Sequence, residues 1–213
     1  MKDAFQTKTT RDAILDATDR LLARDGYKKM TIDDLANEVG IGKGSVYLHF
    51  SSKEEIALSH IDRIIERLMV NLVAIAARTD PATERLHEML MKRVMERFDS
   101  LQHYSQSLNE LLAVIRPKLL DRRKRYFDEE ARLLMIVIAE GQATGDFAPG
   151  DPFDLSQTLL TATNSLLPYS LSSFELGDRA EVAERTERVA KILIRGLANL
   201  RSHRTHVLRQ SER

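Results

Sequence analysis

The sequence predicts an all-α protein of about nine helices, with a three-helix unit at its N-terminus and a larger helical domain behind it. Three observations predict it. Apolar residues recur at i, i+3, i+4 and i+7 through most of the 213 residues, the period of a helix with one buried face. No alternating apolar–polar run persists long enough to be a strand. Threonine, serine or aspartate precedes several periodic segments and glycine or proline follows them, as helix caps and stops require.

Residues 1–9 are polar and expected to be loose. A first helix is expected from about Thr10, with Ile14, Ala17, Thr18, Leu21 and Leu22 inward. It ends at Asp25-Gly26, after which Tyr27 packs back on the core. Thr31 caps a second helix, and Asp34, three residues on, makes a capping box. Ile32, Leu35, Ala36 and Val39 share its inner face. Gly40-Ile41-Gly42 stops it, because glycine takes the left-handed conformation that a sharp reversal needs. Lys43 to Phe50 forms a third helix, with Val46 and Phe50 inward and Lys43, Ser45, Tyr47 and His49 outward.

Ser52, with Glu55 three residues later, starts a long linking helix over 52–77, whose stripe is Ile61, Ile64, Ile65, Leu68, Leu72 and Ile75. Asp80 as cap and Pro81 at the first position open the next helix. Leu86, Leu90, Val94 and Phe98 form its stripe, with Met89, Met91 and Met95 beside it. Leu108, Leu111, Leu112 and Ile115 mark a shorter helix that Pro117 is expected to end, followed by a long one from about Lys118 to Glu140. Gly141, Gly145 and Pro149-Gly150 are expected to break the chain into a loop. Asp151-Pro152 repeats the cap-then-proline device for a helix carrying Leu155, Leu159, Leu160, Leu166 and Leu167, closed at Pro168. A last helix is expected from Asp178 to Leu200, and the basic tail beyond it has little apolar content and is expected to be disordered or frayed. The expected domains are 1–53, containing the three short helices, 54–202, and a tail over 203–213.

Composition narrows the function classes. Lysine plus arginine, at 32, equals aspartate plus glutamate, so no global positive field marks a non-specific nucleic-acid coat, though a local basic surface stays open. Cysteine is absent, which removes disulfides, thiolate metal sites and cysteine nucleophiles together. MKDAFQTKTTRDAI has no apolar core of a signal peptide, and no run of about 18 apolar residues exists. A cytoplasmic protein with no membrane partner is expected.

The second and third helices have the layout of a helix-turn-helix, whose second helix enters a DNA major groove. Lys43 and Ser45 stand at the end such a helix presents to the bases, and Gly44 lets backbone approach closely. Tyr47 and His49 suit phosphates, as do Lys53 and the Thr31 cap with its helix N-terminus. A phosphate-cradling P-loop is the other reading of Gly42-Lys43-Gly44-Ser45. It fails because Gly44 interrupts the motif, Asn37 holds the earlier glycine position, and a helix precedes.

The run Gly40, Lys43-Gly44-Ser45, Tyr47, His49-Phe50, Lys53-Glu54 resembles the signature of TetR-family transcriptional regulators. The resemblance covers roughly residues 10–58; beyond that only length and helix layout are similar. It implies that Thr31, Lys43, Gly44, Ser45, Tyr47, His49 and Lys53 face a double-stranded DNA operator. It also implies a homodimer made by the last long helices and a small-molecule effector held in the larger domain. Val182, Val189, Leu193, Leu197 and Leu200, with Leu155, Leu159 and Leu166, could supply that dimer face or be buried within the subunit.

Effector candidates are Met91, Met95, Phe98, Tyr104, Asn109, Thr163 and Asn164, which put soft, aromatic and polar groups close together, as pockets between helices require. For each residue, ordinary core packing is the competing reading. The methionines point weakly to a hydrophobic or aromatic ligand. The rival function is an all-α small-molecule-binding or carrier protein whose N-terminal unit does not read DNA. An enzyme is disfavoured: no catalytic motif appears, and the six histidines are scattered, so no cofactor or metal is expected. The acidic runs Asp33-Asp34, Glu54-Glu55 and Asp128-Glu129-Glu130 are read as caps and solvated faces.

Overall fold

The computed structural model describes residues 9–101, 105–167 and 177–198, with the side chains of 101 and 105–109 excepted. Expectations for the N-terminal residues, Pro168, Leu200 and the basic tail fall outside these. Among the described residues there are eight α-helices, one 3₁₀ turn and no strand: α1 Thr10–Lys29, α2 Ile32–Val39, α3 Lys43–His49, α4 Lys53–Ala76, α5 Ala82–Leu101, α6 Ser105–Thr144, α7 Pro152–Thr163, the turn Asn164–Leu166, and α8 Arg179–Leu197.

Cap chemistry sets most boundaries. The Thr9, Thr31 and Asp178 side chains each accept the backbone N–H three residues on, and each box is closed by an acidic side chain reaching back. Asp151 caps α7 with Pro152 behind it, as the sequence implies. Gly26, at φ 76°, interrupts α1 after Asp25, and Gly40, also at φ 76°, ends α2 in the left-handed region.

Three boundaries differ from expectation. Pro117 does not end a helix: α6 runs 40 residues through it. Pro117 and Ala113, whose carbonyl loses its partner, are both exposed, so water can take the freed acceptor. Two expected helices thereby become one. Gly141 is helical rather than loop; a Cβ there would stand 2.2 Å from the Phe147 ring, so its lack of a side chain serves packing. Gly145, at φ 84°, makes the stop instead. At α5 the start moves by one residue: the Pro81 carbonyl accepts from Arg85 N, and the Asp80 carboxylate is taken by Arg78.

The helices group into two units. One holds residues up to 64 and 101–120, the other 65–100 and 121 onward, so α4 and α6 each contribute to both. In the first unit Ile14, Leu21, Leu35, Val46, Phe50, Ile56 and Leu58 are buried, and Tyr27 packs back as expected. Arg63 reaches across to Asp16 at 2.6 Å, fastening α4 to α1. In the second, Leu68, Leu72, Leu86, Leu90, Leu134, Ile138 and Leu160 belong to one apolar cluster. A bridge between Phe147 and Ala198 pins the end of α8, with Ala148 N donating to Leu197 O at 2.8 Å.

Candidate nucleic-acid interface

Two buried residues hold α3 in place. Val46 is fully buried and Phe50, one turn on, nearly so, which fixes which side of the short helix faces out. Lys43, Gly44, Tyr47, Leu48 and His49 are exposed, and Ser45 is half-buried. A side chain at Gly42 or Gly44 would meet nothing within 4 Å, so the backbone there is open to close approach. Thr31 is exposed at the N-terminus of α2, its hydroxyl committed to the cap.

Lys43 is not idle. Its Nζ lies 2.8 Å from Asp33 Oδ2 on α2, and this hydrogen bond raises its pKa above the ordinary lysine value. Lys53, at the start of α4, is half-buried: its Nζ sits 4.3 Å from the Tyr27 ring centroid and 3.4 Å from the Lys28 carbonyl. Desolvation lowers its pKa, and burial pushes the Tyr27 phenol up to about 12. Ser52 Oγ accepts Glu55 N at 3.1 Å, as its capping position predicts. The Arg11 guanidinium lies 5.0 Å from the Phe50 centroid, the second cation stacked on this unit's aromatic edge.

The sequence reading missed Leu48. It is 84% exposed, while its neighbour Tyr47 is half-exposed. Position gives it away: two residues from Val46 on a helix is the opposite face. An exposed leucine on this surface can meet the methyl group of a thymine.

The expected effector residues separate. Met95 and Phe98 are buried with Val94, Leu167 and Val182, and Met91 packs against that cluster. Thr163 is buried and donates to Leu159 O, while Asn164 opens the 3₁₀ turn with a buried Oδ1 that has no partner. Tyr104 and the Asn109 side chain lie outside the described residues.

Next to Thr163 stands a cluster the sequence reading did not foresee. Arg93, Arg97 and Glu130 are each 1–2% exposed. Arg93 Nε donates to Glu130 Oε2 at 2.6 Å and its other nitrogen to Thr163 Oγ1 at 3.0 Å; Arg97 donates to the remaining Glu130 oxygen. Glu130, expected on a solvated face, is therefore interior. Burial drives its pKa up, but Arg97 and Arg93 outweigh that and hold it below the usual value.

With this geometry established, comparison with known proteins is informative. Residues 14–59, spanning α1 to the start of α4, match the family described as bacterial regulatory proteins, tetR family. The chain is a TetR-family protein. An uncharacterized HTH-type transcriptional regulator from the lacX 3′ region of Lactococcus lactis subsp. lactis is 33% identical to this TetR-family chain over 89 residues, 41% of this chain and 45% of its own length. The repressor KstR2 of Mycolicibacterium smegmatis is 27% identical over 157 residues, 70% of this chain and 73% of its own. This chain spans less than half the length of the first curated relatives it matches, 35–46%. A TetR transcription regulator from Haloarcula marismortui ATCC 43049 shares the fold, with a TM-score of 0.69 over 88% of this chain and 97% of that one at 23% identity.

Among the described residues, no helix of this TetR-family protein is long and apolar enough to cross a membrane. None of its described histidine, aspartate and glutamate side chains group in threes that could hold a metal ion.

Proposed function

We propose that this chain is a ligand-responsive, DNA-binding transcriptional regulator: a cytoplasmic homodimer that represses from a palindromic operator and is released by a small hydrophobic or aromatic effector. The observation that carries the reading is the outer face of α3, where Lys43, Tyr47, Leu48 and His49 are exposed beside an open Gly44 backbone. A recognition helix works in this way, with its inner side spent on packing and its outer side left for base edges and phosphates.

In this reading Lys43 and Ser45 meet base edges, Tyr47 and His49 meet phosphates, and the N-terminus of α2 behind Thr31 receives a phosphate. Lys53 adds a cation already partly desolvated by Tyr27. Two copies, joined through α7 and α8, place their recognition helices about 34–36 Å apart in successive major grooves. The KstR2 relative is a repressor, which supports the sign of regulation. An effector in the larger domain acts only through its difference in affinity between the DNA-binding conformer and the released one.

The test is fluorescence anisotropy with duplex from upstream of the protein's own gene and a scrambled control, at about 0.15 M salt because salt sets the non-specific background. Affinity for the native duplex is expected to exceed the control by about a thousandfold or more. Tyr47→Ala should remove that margin and leave small-molecule binding intact. A carrier protein with no DNA role would bind both duplexes equally, and Tyr47→Ala would change nothing.

A further inference from the structure

A second candidate site lies in the larger unit, away from every residue expected to hold an effector. Between α4 and α6 runs a groove of about 580 Å³. Ile65, Met69, Val73 and Leu133 give it apolar walls. That volume falls within the range of small-molecule sites, and apolar walls with few polar groups are their usual lining.

Tyr126 also lines the groove, and its chemistry is unusual. The residue is 6% exposed, and its hydroxyl is buried with no hydrogen-bond partner. A buried hydroxyl without an acceptor is costly and rare, so a donor in this state beside a cavity marks the place of a missing acceptor. The exposed Arg125 side chain lies over the Tyr126 ring, its guanidinium carbon 5.2 Å from the centroid, and can swing aside without unpacking the core.

The rim decides the charge of the occupant. Arg125 and Arg132 stand against Glu66 and Glu129, two cations and two anions, and Arg125 lies 3.9 Å from Glu129. No net field draws an anion or a cation in. We propose that the α4–α6 groove binds an uncharged, largely apolar small molecule carrying one acceptor oxygen, with Tyr126 as its hydrogen-bond donor. The ligand's body lies along Met69, Val73 and Leu133, and its oxygen takes the Tyr126 proton once Arg125 moves off the ring.

Nile red is a suitable probe, being neutral, apolar and equipped with a carbonyl. Titrating it into the full chain without DNA keeps the outcome separate from the DNA-binding reading. Saturable fluorescence is expected. Tyr126→Phe, which removes only the hydroxyl, should weaken binding about five- to tenfold. Val73→Trp should block it; Val73 is 51% exposed, so the larger side chain can be accommodated, and an unchanged helical spectrum confirms folding. Laurate, apolar but anionic, should fail to displace the dye. Absence of uptake, or uptake that either variant leaves unchanged, overturns the site. Displacement by laurate as effective as by unlabelled neutral dye overturns the assignment of an uncharged ligand. A fall in sedimenting mass in Val73→Trp without dye binding overturns it too, by making the groove an interface between copies.

Discussion

The polar contacts of the α2–α3 hairpin join near neighbours: Thr31 with Asp34, three residues apart, and Lys43 with Asp33, ten apart. Those at the centre of the larger unit join Arg97 to Glu130 across 33 residues and Arg93 to Thr163 across 70. The first set is exposed and the second is interior. The hairpin's polar groups shape a short segment while keeping water, so they cost little to hold and can be exchanged for a partner. The buried set has given up water already, and each member depends on the others for its hydrogen bonds. Equal chemistry thus serves exchange in one region and specification of packing in the other.

The largest test of that contrast is Glu130→Gln, which keeps shape and removes charge. Two guanidiniums then lose their shared carboxylate inside the core, and a destabilisation of about 3–5 kcal/mol is expected by urea unfolding. A loss below about 1 kcal/mol would put the cluster on a level with a surface pair and end the contrast. The pH dependence has a definite sign. Glu130 is held below its ordinary value of 4.5 in the fold, so its contribution is complete above that value. It is lost as pH falls further, through the lowered folded-state pKa. Wild-type stability should therefore drop more steeply than that of Glu130→Gln in acid below about pH 4.5.

This contrast also explains what the sequence could reveal. Thr31, Asp34, Gly40, Val46 and Phe50 act on residues within a few positions, so caps, stop and facing were all legible. Arg93 and Arg97 sit four apart beside the stripe Leu90, Val94, Phe98, which looks like a solvated flank until Glu130 arrives from α6. No spacing rule connects them. Gly141 is similar: in sequence it resembles a loop glycine, and only the Phe147 ring against it shows that it is a packing glycine. Pro117 misled for the opposite reason, since a local rule was overridden by the solvent on its side of α6. For the DNA-facing positions, residue types indicated the outer face of α3, but the Lys43–Asp33 and Lys53–Tyr27 pairings depend on how α2, α1 and α4 come together.

A smaller effect sharpens the comparison from the other side. Thr31→Ala removes the acceptor for Asp34 N and should cost about 1 kcal/mol, confined to the first turn of α2. Amide hydrogen exchange reads this directly: the first-turn amides of α2 should exchange about fivefold faster, with those of α5 and α8 unchanged. Faster exchange throughout the larger unit would mean that the hairpin's polar contacts are not local in effect.

The smallest effect on the fold is expected where an acid faces a lysine in water. Asp33→Asn deletes the partner of Lys43 Nζ, yet both side chains are more than half exposed, so the unfolding midpoint should not move. Lys43 stays protonated near neutral pH, because losing Asp33 only returns its pKa toward the ordinary lysine value. What changes is the charge that α2 and α3 show to a duplex. Removing an anion beside Lys43 should raise affinity for non-specific DNA about threefold and steepen its salt dependence, because the lysine no longer has to leave a carboxylate for a phosphate. Unchanged affinity would place Lys43 off the nucleic-acid face. Loss of one carboxylate would then tune binding at the hairpin while the same change at Glu130 weakens the fold, a difference set by water rather than by residue type.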